Sequence, residues 1–199
     1  MALALKRLGF KVMSIEDASQ VEMRRAIDDF GRELKKFDVG LFFYAGHGVQ
    51  ARGYNYLVPV DAEMASENDV EYNCVHAGRV LAKMEDAGST TNIVIMDACR
   101  NNPFERSWTR SGTGRGLAVM DAPIGSLIGF ATSPGNVASD GVADNGLYTS
   151  ALLEYMNEPG LTILEMFQKV RKKVREESQG EQVPWESTSL EGNFYFRPE

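Results

Sequence analysis

The chain has 199 residues, of which 43% are hydrophobic and 25% charged, a composition ordinary for one globular domain with a sizeable core. Its formal net charge of −7 argues against nucleic acid and against an anionic membrane surface as partners. No apolar run approaches the roughly 20 residues that a membrane helix needs, and no secretion signal is recognisable.

The first third of the chain alternates between helix and strand patterns. The opening ten residues suggest a helix that ends near Gly9, and "KVMSI" (11–15) then predicts a short strand. Ser19 and Glu22 have the spacing of a capping box, and the apolar residues behind them recur every three or four positions, which predicts a helix with one buried face. The apolar residues are Met23, Ala26, Ile27, Phe30, Leu34 and Phe37.

The remaining elements continue the alternation. Continuous short apolar runs predict buried strands at 39–45, 91–98 and 126–133, and "YNYLVPVD" (54–61) predicts a further strand. Residues 62–74 are polar and irregular, helices are predicted at 75–86, 146–157 and 162–178, and an edge strand at 193–196. This pattern predicts a single α/β domain over residues 1–199, with a mostly parallel central sheet and helices on both faces.

The start of the pattern is unusual. A sheet of parallel strands normally has a strand before its first helix, whereas this chain opens with the helix. We therefore expect the sheet to lack its first strand, and a partner chain or a missing segment to complete it.

The two cysteines differ in their surroundings. Cys99 follows a buried strand, whereas Cys74 lies in the irregular stretch and is predicted to be a structural thiol. Cys74 and His76 together are too few ligands for a metal site. Two cysteines do not make a disulfide framework, so we expect reduced thiols and a cytoplasmic location.

A histidine and a cysteine follow two of the predicted buried strands. His47, between Gly46 and Gly48, comes after strand 39–45, and Cys99 comes after the strand at 91–98. Ligands of open α/β sheets bind beyond the carboxyl ends of the strands, so parallel neighbours would bring both residues to one edge. A nearby imidazole makes a thiol nucleophilic, and the amides of Gly48 and Cys99 could form an oxyanion hole. A satisfied structural histidine and an inert buried thiol are the alternatives.

The motifs "FFYAGHGVQ", "NYLVPVDA" and "IVIMDACRNNPF" resemble those of the caspase-like cysteine peptidases, most closely the bacterial metacaspase and paracaspase branch (orthocaspases). The stretches "NGLYTSALLEYM" and "QVPWESTSLEGNFYF" continue the resemblance towards residue 199. The resemblance implies a caspase-like fold in which His47 is the catalytic histidine and Cys99 the nucleophile. It implies an endopeptidase that acts on proteins or peptides and needs no cofactor and no metal.

The resemblance also implies a substrate preference. Asp97 matches an acidic residue of the family's primary specificity pocket and Asp140 resembles a second one, although each could instead belong to a turn. Carboxylates pair with Arg or Lys, so cleavage after a basic residue is expected. Arg106, Arg110 and Arg115 lie in the Gly- and Ser-rich stretch 105–116, which is then either a self-cleavage site or an uncut surface loop.

Two other functions remain open from the sequence. A catalytically inactive caspase-like module that serves as an interaction scaffold would suit a sheet without its first strand. A doubly wound nucleotide-binding domain is disfavoured because no G-x-G-x-x-G follows the first strand and no Walker loop is present.

Overall fold

A computed structural model of the chain describes residues 1–99, 117–133 and 146–199, with Cys99 described by its backbone alone. The helices are α1 (Ala2–Arg7), α2 (Gln20–Leu34), α3 (Val70–Asn73), α4 (Gly78–Ala87), α5 (Leu147–Tyr155) and α6 (Ile163–Glu177), with a single 3₁₀ turn at Glu67–Asp69. The strands are β1 (Val39–Ala51), β2 (Tyr54–Leu57), β3 (Val75–His76), β4 (Thr91–Cys99), β5 (Ser126–Phe130) and β6 (Trp185–Thr188).

The strands of the described chain form one mixed sheet in the order β3-β2-β1-β4-β5-β6. The centre is parallel, because β4 pairs in parallel with both β1 and β5. Both margins are antiparallel, where β2 pairs with β1 and β3, and β6 pairs with β5. The predicted α/β class is confirmed, and the sheet, predicted to be mostly parallel, is mixed, with parallel strands at its centre.

Helices cover the sheet on two faces, as the sequence predicts. Alternate residues of β4 divide between them: Ile93 and Ile95 pack with α1, α5 and α6, whereas Val94 and Met96 pack with α2 and α4. All four side chains are at most 2% exposed, so β4 is buried on both sides. This two-sided burial accounts for its continuous apolar run.

The predicted capping boxes form at the starts of α2 and α6. Ser19 and Glu22 cap α2, and Thr162 and Glu165 cap α6 with the same reciprocal bonds between side chain and backbone. Each box satisfies amide groups that the first helical turn leaves without partners.

Several predicted boundaries are wrong. Residues 11–15 form no strand. The segment 193–196 contributes only an isolated antiparallel β-bridge, between Tyr195 and Thr162. The edge strand beside β5 is instead β6, which has no predicted counterpart in the sequence. The stretch 62–74 contains a 3₁₀ turn and α3, and residues 75–76 pair with β2 before α4 begins.

An open edge of β1 explains why residues 11–15 form no strand. Over 39–46, β1 is hydrogen-bonded to β4 on one side, while β2 reaches only residues 48–51 of β1 on the other. A cavity of about 1160 Å³, here called the β1 slot, separates this edge from residues 10–18 and is flanked by α1 and α2. Among the described residues, no strand pairs with residues 11–15. In the part of the chain described here, no helix is long and apolar enough to cross a membrane.

Candidate active site

The site begins where the pairing of β1 with β4 ends. In the parallel register of these strands His47 is the partner of Cys99, and Ala45 is the partner of Asp97. The backbones of the predicted histidine and the predicted nucleophile are therefore neighbours at one edge of the sheet. His47 is exposed.

His47 lies within β1 rather than beyond its end, which corrects the predicted boundary. The strand continues to Ala51 because residues 48–51 pair with β2 after the pairing with β4 has finished. His47 thus occupies the position at which β1 passes from one partner strand to the other. The Val58 amide donates to the His47 carbonyl at 3.0 Å and fixes the start of the antiparallel pairing.

The hydrogen-bond pattern gives the direction of the Gly48 amide. Because Val58 N–H bonds to His47, the pair Gly48–Leu57 is of the kind that exchanges no hydrogen bonds. The Gly48 N–H therefore points away from β2, towards the side where β4 ends. A Cβ atom at this position would lie 3.1 Å from both Ala98 Cβ and Leu117 Cδ2, a tight fit that the glycine avoids.

Asp97 lies two residues before Cys99 on β4 and faces the start of α5. The Thr149 hydroxyl donates a hydrogen bond to its Oδ2 atom. A Cβ atom on Gly146, the residue that precedes α5, would lie 3.3 Å from the same oxygen. Asp97 is half-buried and is held by the start of α5. The amino end of a helix favours a negative charge.

Tyr148, the second residue of α5, lies in a water-excluded environment close to Asp97. Tyr148 is fully buried on α5, and burial, together with the charges of Asp97 and Glu186, raises its pKa well above the ordinary value. The neutral phenol of Tyr148 therefore adds no second charge to this part of the site.

The other predicted site residues are only partly described. The Cys99 side chain, Asp140, Arg106, Arg110 and Arg115 lie outside the described residues, so their roles stay predictions.

Cys74 and His76 have structural surroundings. Cys74 is 1% exposed, and burial raises the pKa of its thiol to about 12. The His76 ring lies against Tyr54 and Tyr56, with centroids 5.1 and 5.2 Å away. Within residues 1–99, 117–133 and 146–199, no group of three or more His, Cys, Asp or Glu side chains could hold a metal ion.

Two polar residues that support the site were missed in the sequence. Tyr44 donates from its hydroxyl to the His47 carbonyl at 2.8 Å, and Thr149 donates to Asp97. Tyr44 sits in an apolar run and Thr149 in a helix, so neither had a pattern that distinguishes it from a core residue.

Comparisons with known proteins agree with this architecture. A caspase-domain model of the peptidase C14 family matches residues 1–195. Human mucosa-associated lymphoid tissue lymphoma translocation protein 1 is 29% identical over 158 residues, 77% of this chain. Its mouse homolog is also 29% identical over 158 residues. The chain spans only 18% of the human relative and 17% of the mouse relative. The family model matches nearly all residues of this chain, and the chain therefore belongs to the caspase-domain family of peptidases.

Proposed function

We propose that the protein is a cysteine endopeptidase that cleaves peptide bonds after Arg or Lys by means of a Cys99–His47 dyad. The observation that carries the proposal is the register of β1 and β4, in which the backbones of these two residues are partners. Membership of a peptidase family supports the reaction class. The narrower likeness to bacterial orthocaspases stays a prediction.

The chemistry follows from a thiolate and an imidazolium at one edge of the sheet. The Cys99 thiolate attacks the scissile carbonyl carbon, and the negative charge that develops on oxygen is stabilised by the amides of Gly48 and Cys99. His47 donates its proton to the leaving nitrogen as the C–N bond breaks. His47 then takes a proton from a water molecule whose oxygen attacks the thioester carbon; the C–S bond breaks, the carboxylic acid leaves, and the Cys99 thiolate and the His47 imidazolium are restored. The reaction requires a reduced thiol, which agrees with our proposal of a cytoplasmic location.

The basic preference rests on Asp97, with Asp140 as the proposed second carboxylate. Asp97 is half-buried at the start of α5, two residues before the nucleophile. A guanidinium group can form two parallel hydrogen bonds with such a carboxylate. A peptide or protein segment with Arg or Lys before the cut is therefore the proposed substrate.

The experiment compares turnover of fluorogenic peptide amides ending in Arg, Lys or Asp. Cys99→Ala and His47→Ala are each expected to abolish turnover of the Arg and Lys peptides. Cys74→Ala and His76→Ala are matched controls, because they remove the other thiol and the other imidazole and should retain activity. Turnover by Cys99→Ala at the rate of the original chain contradicts the proposal.

A second function is favoured by the β1 slot. An interaction module without catalytic activity would bind an extended segment along the open edge, by the strand addition that sheets with free edges support. We likewise propose that a partner chain or a further segment completes the sheet there in the active enzyme. In the peptide assay, a folded sample that turns over no substrate even with an extended partner bound in the β1 slot favours the scaffold function.

A further inference from the structure

The Tyr44 hydroxyl is the side-chain group that holds the backbone of His47. It lies 2.8 Å from the His47 carbonyl oxygen and 3.1 Å from the Val58 carbonyl oxygen. A carbonyl only accepts, so the phenol is the donor in both contacts and shares its single hydrogen between them. Burial raises the pKa of Tyr44, which keeps the phenol protonated and able to donate.

The His47 peptide is consequently fixed from two sides. Its carbonyl accepts from Tyr44 and also from the Val58 amide at 3.0 Å, at the point where β1 leaves β4 for β2. At the residue where a strand changes partners, neither partner strand supplies a hydrogen-bond ladder that continues on both sides of that residue and holds its peptide planes. The two donors supply that restraint at the residue that carries the imidazole.

Gly46 makes this contact possible. A Cβ atom at position 46 would lie 2.7 Å from the Tyr44 hydroxyl oxygen and 3.0 Å from its Cζ atom. The tyrosine ring therefore lies directly over the Gly46 backbone to reach His47. The glycine before the histidine is explained by this ring, whereas the glycine after it is explained by Ala98 and Leu117.

Tyr44 and Asp97 lie on opposite faces of the sheet. The ring of Tyr44 packs with the cluster that faces α2 and α4, while Asp97 contacts α5 on the other face. A change at Tyr44 can therefore alter the orientation of His47 without touching the carboxylate proposed to bind the substrate's basic side chain.

We propose that Tyr44 is the positioning residue of His47. Its hydroxyl fixes the His47 peptide plane and thereby the direction in which the imidazole leaves β1 towards Cys99. This inference rests on the proposed function, because it concerns the pairing of His47 with the nucleophile. Small displacements of a catalytic group reduce rates steeply, by up to about 10²-fold for 1 Å.

The test is Tyr44→Phe, which keeps the ring and removes only the hydroxyl, with Tyr54→Phe as the matched control on β2. Cys99 alkylation by iodoacetamide is followed against pH with mass-spectrometric mapping, and kcat and KM are measured on an Arg peptide. In the original chain we expect the Cys99 thiol to titrate well below the ordinary pKa of about 8.5. In Tyr44→Phe we expect that pKa to rise and kcat to fall about tenfold or more, with KM within about twofold.

The readouts separate positioning from packing. A lower melting temperature of Tyr44→Phe with an unchanged Cys99 pKa and kcat overturns the inference while leaving the proposed protease intact. If the thiol titrates at its ordinary value in the original chain and His47→Ala leaves it there, the inference and the proposed function both fail. Cys74, buried and with a pKa of about 12, serves as the internal control that should stay unlabelled.

Discussion

Asp97 is the residue at which the proposed preference for basic substrates can be tested. Asp97→Asn keeps the shape of the side chain and removes its charge. Loss of one partner of a desolvated charge pair costs about 2–5 kcal/mol, which corresponds to a fall of about 30-fold or more in kcat/KM for an Arg peptide. Steady-state kinetics on Arg and citrulline peptides measures it, because citrulline lacks the charge.

Thr149→Val provides the graded comparison for Asp97. It removes the hydroxyl that donates to Asp97 while leaving the carboxylate charge in place. We expect a smaller fall in kcat/KM for the Arg peptide than Asp97→Asn produces. Equal kinetics of Asp97→Asn and the original chain on Arg peptides would show that the charge of Asp97 does not select the substrate.

Gly46→Ala is expected to reproduce the effect of Tyr44→Phe. The added Cβ atom would lie 2.7 Å from the Tyr44 hydroxyl oxygen, so the ring must move and its hydrogen bond to His47 is lost. Both variants should lower kcat on an Arg peptide, and the double variant should lose less than the product of the two single losses, because both remove one contact. Full multiplication of the two effects would mean that they act independently.

At the scale of residues, the sequence predicts the groups that would react but not the groups that hold them. His47 and Cys99 stand out because each follows a buried apolar strand and the topology aligns the strand ends. Tyr44 donates to a backbone carbonyl of its own strand, and Thr149 of α5 donates to a carboxylate on β4. Such contacts depend on how the chain bends and packs, and no spacing in the sequence records that.

At the scale of elements, the backbone N–H and C=O groups of β1 point alternately towards β4 and towards its free edge. The carbonyl of Asp38, the residue before β1, accepts from the Thr91 amide of β4, whereas the His47 carbonyl accepts from the Val58 amide on the opposite side. Backbone groups of even-numbered residues therefore face β4, and those of odd-numbered residues face the β1 slot. The amides of Leu41 and Phe43 thus point into the slot.

Hydrogen exchange read residue by residue tests this edge. We expect the amides of Leu41 and Phe43 to exchange markedly faster than those of Phe42 and Tyr44, which face β4. Binding of an extended partner along the slot should then slow the fast set alone. Equal protection of both sets without any partner would contradict an open edge.

The elements predicted correctly are those with strong local signals. The capping boxes of α2 and α6 and the two-sided apolar runs of β4 and β5 are examples. The strand predicted at 11–15 fails because a strand exists only beside a partner, and the β1 slot separates this segment from the sheet. The four residues of β6 were missed because they include Glu186 and show no apolar alternation.

At the scale of the whole molecule, acid should weaken the attachment of residues 10–18 to α2. Lys11 and Lys36 lie 2.8 and 2.9 Å from the Glu33 carboxylate and lower its pKa from 4.5 to about 2. A carboxyl whose pKa is lowered by folding stabilises the native state above its unfolded pKa and loses that contribution as pH falls through its folded pKa. The contribution of Glu33 should therefore fade between about pH 4.5 and pH 2.

Urea unfolding of Glu33→Gln and of the original chain measures this contribution. The midpoints should differ at pH 6, with the variant less stable, and should converge as pH approaches 2. Glu191→Gln, at an exposed position, is the control and should follow the original chain throughout. A difference between Glu33→Gln and the original chain that persists undiminished at pH 2 would contradict the assignment.

The fold as a whole places His47 of β1 beside Cys99 of β4, and the proposed activity depends on their acting together. The most direct measurement is covalent trapping with a peptidyl arginine chloromethyl ketone, followed by intact mass and peptide mapping. We expect one label per chain, located at Cys99, with labelling greatly slowed in His47→Ala and in Asp97→Asn. Labelling at Cys74, or at Cys99 with the same rate in His47→Ala, would contradict it.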